Sequence, residues 1–91
     1  MEIKGKVIHV LPVQKGTSEK TGKEWVNQEY VLEFTENEKY TRHFLFRVSG
    51  DERIKKFDIK EGEEITVSFD VDANESKGRW FAQNNAWKVE R

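Results

Sequence analysis

Trp25 and a set of basic residues around it could bind a ligand that combines flat rings with negative charge. An exposed indole offers a face for stacking, and ammonium and guanidinium groups bind anions such as phosphate. Lys15, Lys20 and Lys23 precede Trp25 closely in the chain. The other residues with suitable side chains are Tyr40, Arg42, His43, Arg47, Lys77, Arg79 and Trp80. These residues can act together only if the fold brings them to one surface.

Side chains for catalysis or metal binding show no recognisable arrangement. The chain has no cysteine, and its serines and threonines have no spacing typical of a catalytic triad. Its two histidines, His9 and His43, do not have the spacing of metal ligands. Adjacent carboxylates such as Glu63 and Glu64 point to opposite faces of a strand and cannot act as a pair. The sequence therefore predicts a non-catalytic protein that uses no metal and no cofactor.

Length and charge predict one small domain over residues 1–91. The net charge is −1, so the chain is not strongly basic overall, but residues 1–23 carry five lysines against two glutamates. No apolar run approaches the roughly 20 residues needed to cross a bilayer. The N-terminus has no apolar core of the kind found in secretion signals. We expect a cytoplasmic protein that does not bind membranes.

Two stretches of alternating apolar and polar residues, 24–34 and 40–48, predict a β-hairpin closed by a short polar segment. In the first stretch we expect one face toward the core, formed by Val26, Gln28, Tyr30, Leu32 and Phe34. The opposite face, toward solvent, would carry Trp25, Asn27, Glu29, Val31 and Glu33. In the second stretch Phe44, Phe46 and Val48 should point in, and Thr41, His43, Leu45 and Arg47 should point out. The outward surface therefore mixes apolar, cationic and anionic side chains.

The segments before and after this hairpin predict further strands and one helix. Residues 2–14 read as a first strand that bends at Gly5, followed by a flexible loop over residues 15–22. Asp51 is a candidate N-cap for a helix of about two turns that ends near residues 57–59.

The C-terminal third of the chain predicts a second hairpin. Residues 63–72 alternate cleanly, with Ile65, Val67, Phe69 and Val71 inward. Residues 73–78 would form the hairpin loop and residues 79–90 the fifth strand. If Phe81, Trp87 and Val89 face inward, Gln83 and Asn85 do so as well, and a bulge near Asn84 and Asn85 would resolve this conflict.

The order of three strands, a helix and two strands matches the OB-fold, a five-stranded Greek-key barrel. The chain also resembles a family of small bacterial proteins of formally unknown function that have OB-folds and are described as single-stranded DNA-binding. The resemblance lies in "EIKGKVIHVLP", "GKEWVNQEYVLEF", "KEGEEITVSFDVD" and "AWKVE", and it covers nearly the whole chain. It implies an all-β, five-stranded OB-fold with one short helix between strands three and four.

The same resemblance implies a non-catalytic protein that binds single-stranded nucleic acid, DNA in the first instance, with RNA left open. OB-folds bind such ligands across strands two and three, between the loops that join strands one and two and strands four and five. The eleven residues introduced above would then stack on bases and contact phosphates. A protein-interaction or homodimerisation module is the competing interpretation, because Trp25, Val31 and Leu45 would form an outward apolar patch.

Overall fold

The computed structural model describes residues 1–36 and 40–91, and within them the chain forms six strands and one helix. The elements in order are β1 (Glu2–Val10), β2 (Gln14–Thr17), β3 (Glu24–Glu36), β4 (Tyr40–Ser49), α1 (Asp51–Phe57), β5 (Glu64–Ser76) and β6 (Arg79–Glu90). The expected hairpin connection lies partly at residues 37–39, outside the described residues. Across the described part of the chain, no helix is long and apolar enough to cross a membrane.

Five of these strands close into a barrel. The sheet order is β1-β5-β6-β4-β3-β2, and β1 also pairs with β3, which completes the ring. The short strand β2 extends the sheet at the edge of β3. A five-stranded closed barrel with one helix between its third and fourth barrel strands is an OB-fold, as the order of predicted elements indicated.

Closure depends on a first strand that changes partner halfway along its length. Residues 2–6 pair with β5, whereas residues 6–10 pair with β3. A Cβ atom at Gly5 would lie 2.4 Å from the backbone oxygen of Glu33, so only glycine allows this close approach. The expected bend at Gly5 thus coincides with the change of partner, and a bulge follows between Val7 and His9.

The core is built from the inward-facing side chains of all five barrel strands. Tyr30 and Phe46 stack at 5.2 Å between ring centroids, and Phe44 contacts Phe69 at 4.6 Å. The Tyr30 hydroxyl donates to Gln28, whose amide donates to the Leu11 carbonyl. Burial of Tyr30, with a smaller contribution from the charge of Asp58, raises the pKa of its hydroxyl. The inward phase expected for β3 and β4 is confirmed at Tyr30, Leu32, Phe46 and Val48, whereas Val26 and Phe34 are only half-buried.

The helix lies between β4 and β5 as expected, but its N-terminus differs from the prediction. The N-cap is Gly50, at φ 95°, and Asp51 is the first helical residue and makes no capping hydrogen bond. The helix buries Phe57 against the core, and Ile54 packs beside it. Arg91 binds the other helix end, donating to the carbonyl oxygens of Phe57 and Asp58 and to the Glu63 carboxylate.

Both long hairpins extend beyond the barrel, which corrects two predictions. The segment 73–78 is not a loop: β5 and β6 continue to a two-residue turn at Lys77 and Gly78, both at positive φ. Such a turn matches the twist of the flanking strands. Val71 therefore lies outside the barrel and is exposed, not buried. The radius of gyration, 14.3 Å, exceeds the roughly 12 Å typical of a compact chain of this length.

Two further predictions are wrong because of strand pairing. The segment 15–22 is not a loop throughout, because Gln14–Thr17 forms β2 against β3. The bulge in β6 is at Trp87 and not near Asn84. Lys88 pairs with Ser68 of β5 and Ala86 pairs with Phe69, so Trp87 is the extra residue. As a result Ala86 is buried, while Phe81 and Trp87 are largely exposed.

Candidate nucleic-acid interface

The outer face of β3 and β4, opposite the core, is the surface on which the sequence prediction depended. Antiparallel partners share a face of the sheet, and the pairs on this face include Glu29 with Arg47, Val31 with Leu45 and Glu33 with His43. We call this surface the outer face; its residues are Trp25, Asn27, Glu29, Val31, Glu33, Thr41, His43, Leu45, Arg47 and Ser49. It spans about ten residues along each strand, or roughly 33 Å.

Trp25 lies at one end of the outer face and is held there by β2. Gly16 is its partner in the β2–β3 ladder. A Cβ at Gly16 would meet the indole at 2.4 Å, so the ring packs directly against the glycine backbone. The side chain nevertheless remains 45% exposed. The glycine thus supports a fixed aromatic surface that is still open to a ligand, which is the requirement for stacking on a base.

A groove of about 790 Å³ opens beside Trp25. We call it the hairpin groove, because the β2–β3 hairpin and the junction of β4 with α1 form its walls. Its lining residues are Lys15, Gly16, Thr17, Glu24, Trp25, Val26, Ser49, Gly50 and Asp51. The backbone N–H of Gly50 donates to the Val26 carbonyl at 2.9 Å, which joins the two walls. The volume lies within the range of small-molecule binding sites.

Two polar atoms on the outer face, on residues between Trp25 and the centre, have no partner. Arg47 Nε and Asn27 Oδ1 are both buried and make no hydrogen bond within the described structure. Buried polar atoms are normally hydrogen-bonded, because an unpaired one costs roughly 1–3 kcal/mol. Arg47 also has no carboxylate within ion-pair distance among residues 1–36 and 40–91, although Glu29 is its ladder partner. Arg47 thus places a guanidinium group on the outer face without a carboxylate partner in the described part of the chain.

The β5–β6 hairpin borders the other side of the outer face. β4 and β6 run parallel and meet at Arg47 and Asn85, and the Asn84 side chain donates to the Leu45 carbonyl at 2.9 Å. Beyond this contact the strands separate around a small cleft of about 100 Å³. The β6 residues that share the phase of Asn85, including Phe81, continue the outer face onto the hairpin. Phe81 is 50% exposed and is a second candidate for stacking.

Apart from Arg47 and His43, the predicted cations lie around the outer face and not on it. Lys15 lies on β2, while Lys20 and Lys23 lie in the turn that joins β2 to β3. Lys77 lies in the β5–β6 turn and Arg79 follows it. On the face itself, His43 lies 3.8 Å from the Glu33 carboxylate. The fold therefore places cations at both ends of a surface whose middle is mixed in charge.

Four of the predicted site residues lie in the other phase of their strands. Lys15 pairs with Val26 and so alternates with Gly16 and Trp25. Tyr40 and Arg42 alternate with His43 and so share the phase of Phe44 and the core, past the end of the barrel. Trp80 likewise lies on the opposite face of its hairpin from Phe81. The outer face carries Trp25, Arg47 and His43 in order along its length, with Lys20, Lys23, Lys77 and Arg79 at its borders.

Sequence reasoning did not identify Gly16 or Phe81. The role of Gly16 depends on the pairing of β2 with β3. The segment 14–23, with two glycines and three lysines, has no alternating pattern that would predict a strand there. Phe81 could have been found only by locating the bulge at Trp87, which fixes the phase of β6. Within the described residues, no group of three or more potential metal ligands is present.

Comparisons with solved structures, curated proteins and family models show which family the chain belongs to. Among solved structures, it is similar to a small single-stranded DNA-binding protein from Streptomyces coelicolor, at 11% identity and a TM-score of 0.47 over 99% of this chain and 90% of that one. No curated protein matches the sequence. The model of the family described as "Domain of unknown function (DUF3127)" matches residues 2–90. Because that match covers nearly the whole chain, the protein belongs to the DUF3127 family.

Proposed function

We propose that this protein binds single-stranded nucleic acid, DNA in the first instance, along the outer face of β3 and β4 and without catalysis. The observation that carries the proposal is the half-exposed Trp25 indole, packed on Gly16 at the edge of a 790 Å³ groove. A fixed aromatic surface of this kind stacks on bases of any sequence. A cytoplasmic location belongs to the same proposal.

The path of the ligand follows from the placement of the other groups. One base stacks on Trp25 and a second on Phe81, at opposite ends of the outer face. Arg47 lies between them on the outer face, and its guanidinium group contacts a phosphate or a base carbonyl. The lysines of the β2–β3 hairpin and Arg79 at the other end contact the flanking phosphates.

The charges on the surface also limit the affinity. Glu29 and Glu33 lie on the outer face and repel phosphate, and the protein as a whole has a net charge of −1. Binding should therefore be weak and only moderately dependent on salt. Duplex DNA should bind less well, because its bases offer no exposed stacking faces.

A titration of labelled single-stranded DNA at two salt concentrations tests the proposal. Phosphate contacts make the affinity fall steeply with ionic strength, whereas an apolar interface barely responds. Replacing Lys15, Lys20 and Lys23 by alanine should reduce the salt slope by about one unit for each phosphate that these lysines neutralise. A variant with Lys4, Lys56 and Lys60 replaced by alanine is a matched control, because Lys4 lies on β1 where it pairs with β5, and the other two lie on or after α1, away from the outer face. Equal slopes for both variants would contradict the proposed path.

A second candidate function is self-association or protein binding through the β5–β6 hairpin. Val71 and Trp80 share one face of this hairpin by register and are 51% and 69% exposed. An apolar surface of this kind is typical of an interaction site. Sedimentation of the wild type and of a Val71→Ser/Trp80→Ser variant at several concentrations tests it, since a dimer held by this face should dissociate in the variant.

A further inference from the structure

The hairpin groove has the wrong charge to bind phosphate. Its lining includes two carboxylates, Glu24 and Asp51, and one ammonium group, Lys15. A phosphate in this groove would face more negative than positive charge, and close like charges repel. The part of a nucleotide that enters the groove beside Trp25 must therefore be the base, while the phosphates lie nearer the lysines of the adjacent turn.

The polar groups in the groove select among bases by their hydrogen-bonding edges. A carboxylate accepts hydrogen bonds and cannot donate them when ionised. Guanine carries two adjacent donors, N1–H and the 2-amino group, which match the two oxygens of one carboxylate. Adenine and cytosine present a single amino group beside an acceptor nitrogen, and thymine presents one N–H between two carbonyl oxygens. Guanine is thus the base that a carboxylate binds through two charge-assisted hydrogen bonds.

Asp51 is better placed than Glu24 to make this contact. Asn27 pairs with Ser49 across the β3–β4 ladder, so Asp51 follows the strand end at the level of Trp25. Glu24 also lines the groove, but it alternates with Trp25 along β3, so its carboxylate is offset from the face of the indole. The Asp51 carboxylate is 3.0 Å from the Lys55 ammonium group one helical turn later. The Asp51 side chain is still 61% exposed, so a ligand can reach it.

We propose that the hairpin groove is a nucleobase subsite that prefers guanine, with Trp25 stacking on the ring and Asp51 accepting from N1–H and the 2-amino group. The inference rests on the proposed function and adds selectivity at one position to binding that is otherwise tolerant of sequence. Its volume, about 790 Å³, is ample for one base and its sugar.

The test compares oligothymidylates that carry one central substitution: guanine, hypoxanthine, adenine or none. The wild type should bind the guanine oligonucleotide about tenfold more tightly than unsubstituted oligothymidylate, the usual discrimination of a bidentate contact. Hypoxanthine lacks the 2-amino group, so its oligonucleotide should lose several-fold of this gain. Equal binding of the guanine, hypoxanthine and thymine oligonucleotides would overturn the inference while leaving the proposed function intact. Failure to bind any of them would overturn both.

A pair of isosteric variants assigns the preference to its residue. Asp51→Asn should abolish the preference for guanine and leave the affinity for oligothymidylate unchanged or slightly higher. Glu24→Gln makes the same charge change within the same groove and should keep the guanine preference. Retention of the preference in Asp51→Asn, or its loss in Glu24→Gln alone, would contradict the role given to Asp51.

Discussion

The closed barrel and the two hairpin extensions continue the same strands but differ in what their side chains face. Within the barrel, inward positions such as Val7, Leu32 and Val67 are 0% exposed. Past the barrel, positions of the same phase are open to solvent, and Tyr40 and Trp80 are 67% and 69% exposed. The strand pattern persists while the environment changes. The barrel therefore carries stability, and the extensions and the outer face leave aromatic groups available for binding.

The largest expected contrast is in stability. Phe46 is buried and stacks with both Tyr30 and Phe44, so Phe46→Ala should cost about 3–5 kcal/mol of unfolding free energy. Val71 has the same phase on its strand but lies beyond the barrel, and Val71→Ala should cost less than about 0.5 kcal/mol. Denaturant melts of both variants provide the measurement. A loss below about 1 kcal/mol for Phe46→Ala would mean that the barrel phase is misassigned.

Alanine substitutions at two glycines should separate an effect on the stability of the barrel from an effect on binding at the outer face. Alanine at Gly5 would press on the backbone of Glu33 at the closure of the barrel, and we expect a loss of about 1–3 kcal/mol in stability. Alanine at Gly16 would press on the Trp25 ring, which can swing away, so stability should change little. Binding of single-stranded DNA should instead fall several-fold in Gly16→Ala, because the indole loses its support. Unaltered binding by a folded Gly16→Ala variant would argue against a fixed stacking surface.

The two faces of the β5–β6 hairpin should differ in their contribution to DNA binding, and we expect this difference to be smaller than the preceding ones. Phe81 continues the outer face and Trp80 lies opposite to it. A stacked aromatic contributes about 1–3 kcal/mol per base, so Phe81→Ala should weaken binding by roughly fivefold or more, and Trp80→Ala should change it little. Fluorescence anisotropy with a short oligonucleotide measures both. The reverse order of effects would move the ligand path to the other face of the hairpin, the face that carries Trp80.

The smallest expected effect concerns the C-terminal contact with the helix. The Arg91 side chain, and then the Lys60 backbone N–H, hydrogen-bond the Glu63 carboxylate and lower its pKa. A lowered pKa in the folded state stabilises the protein above the unfolded value, about 4.5, and this contribution is lost as the pH falls through the folded pKa. Arg91→Ala should thus be less stable than wild type near neutral pH, and the difference should narrow in acid. Thermal melts from about pH 7 to about pH 3 measure it, and a difference that stays constant would show that Glu63 does not contribute.

The sequence predicted the barrel better than the surface around it, for physical reasons. Strict alternation in β3 and β4 determines their faces, so the positions of Trp25, Phe46 and Arg47 could be assigned correctly. Alternation does not reveal where a strand leaves the barrel, which is why Val71 was expected in the core. A single bulge at Trp87 reverses the phase of β6, and no local pattern marks it.

The candidate site was predictable only in part for a related reason. The residue types around Trp25 indicated stacking and charge binding, but the support for the indole comes from Gly16 on a strand that the sequence does not indicate. Asp51 was expected to cap the helix, and its place in the hairpin groove became visible only once Gly50 proved to be the N-cap. Contacts between elements decide these points, and they are not encoded in local periodicity.

The most direct test of the central claim is the affinity of wild type and Trp25→Ala for single-stranded DNA at low salt, followed by anisotropy of a labelled oligonucleotide. The account predicts measurable binding by the wild type and a loss of roughly tenfold or more in Trp25→Ala, with an unchanged denaturant midpoint. No binding by the wild type, or equal binding by a folded Trp25→Ala variant, would contradict it.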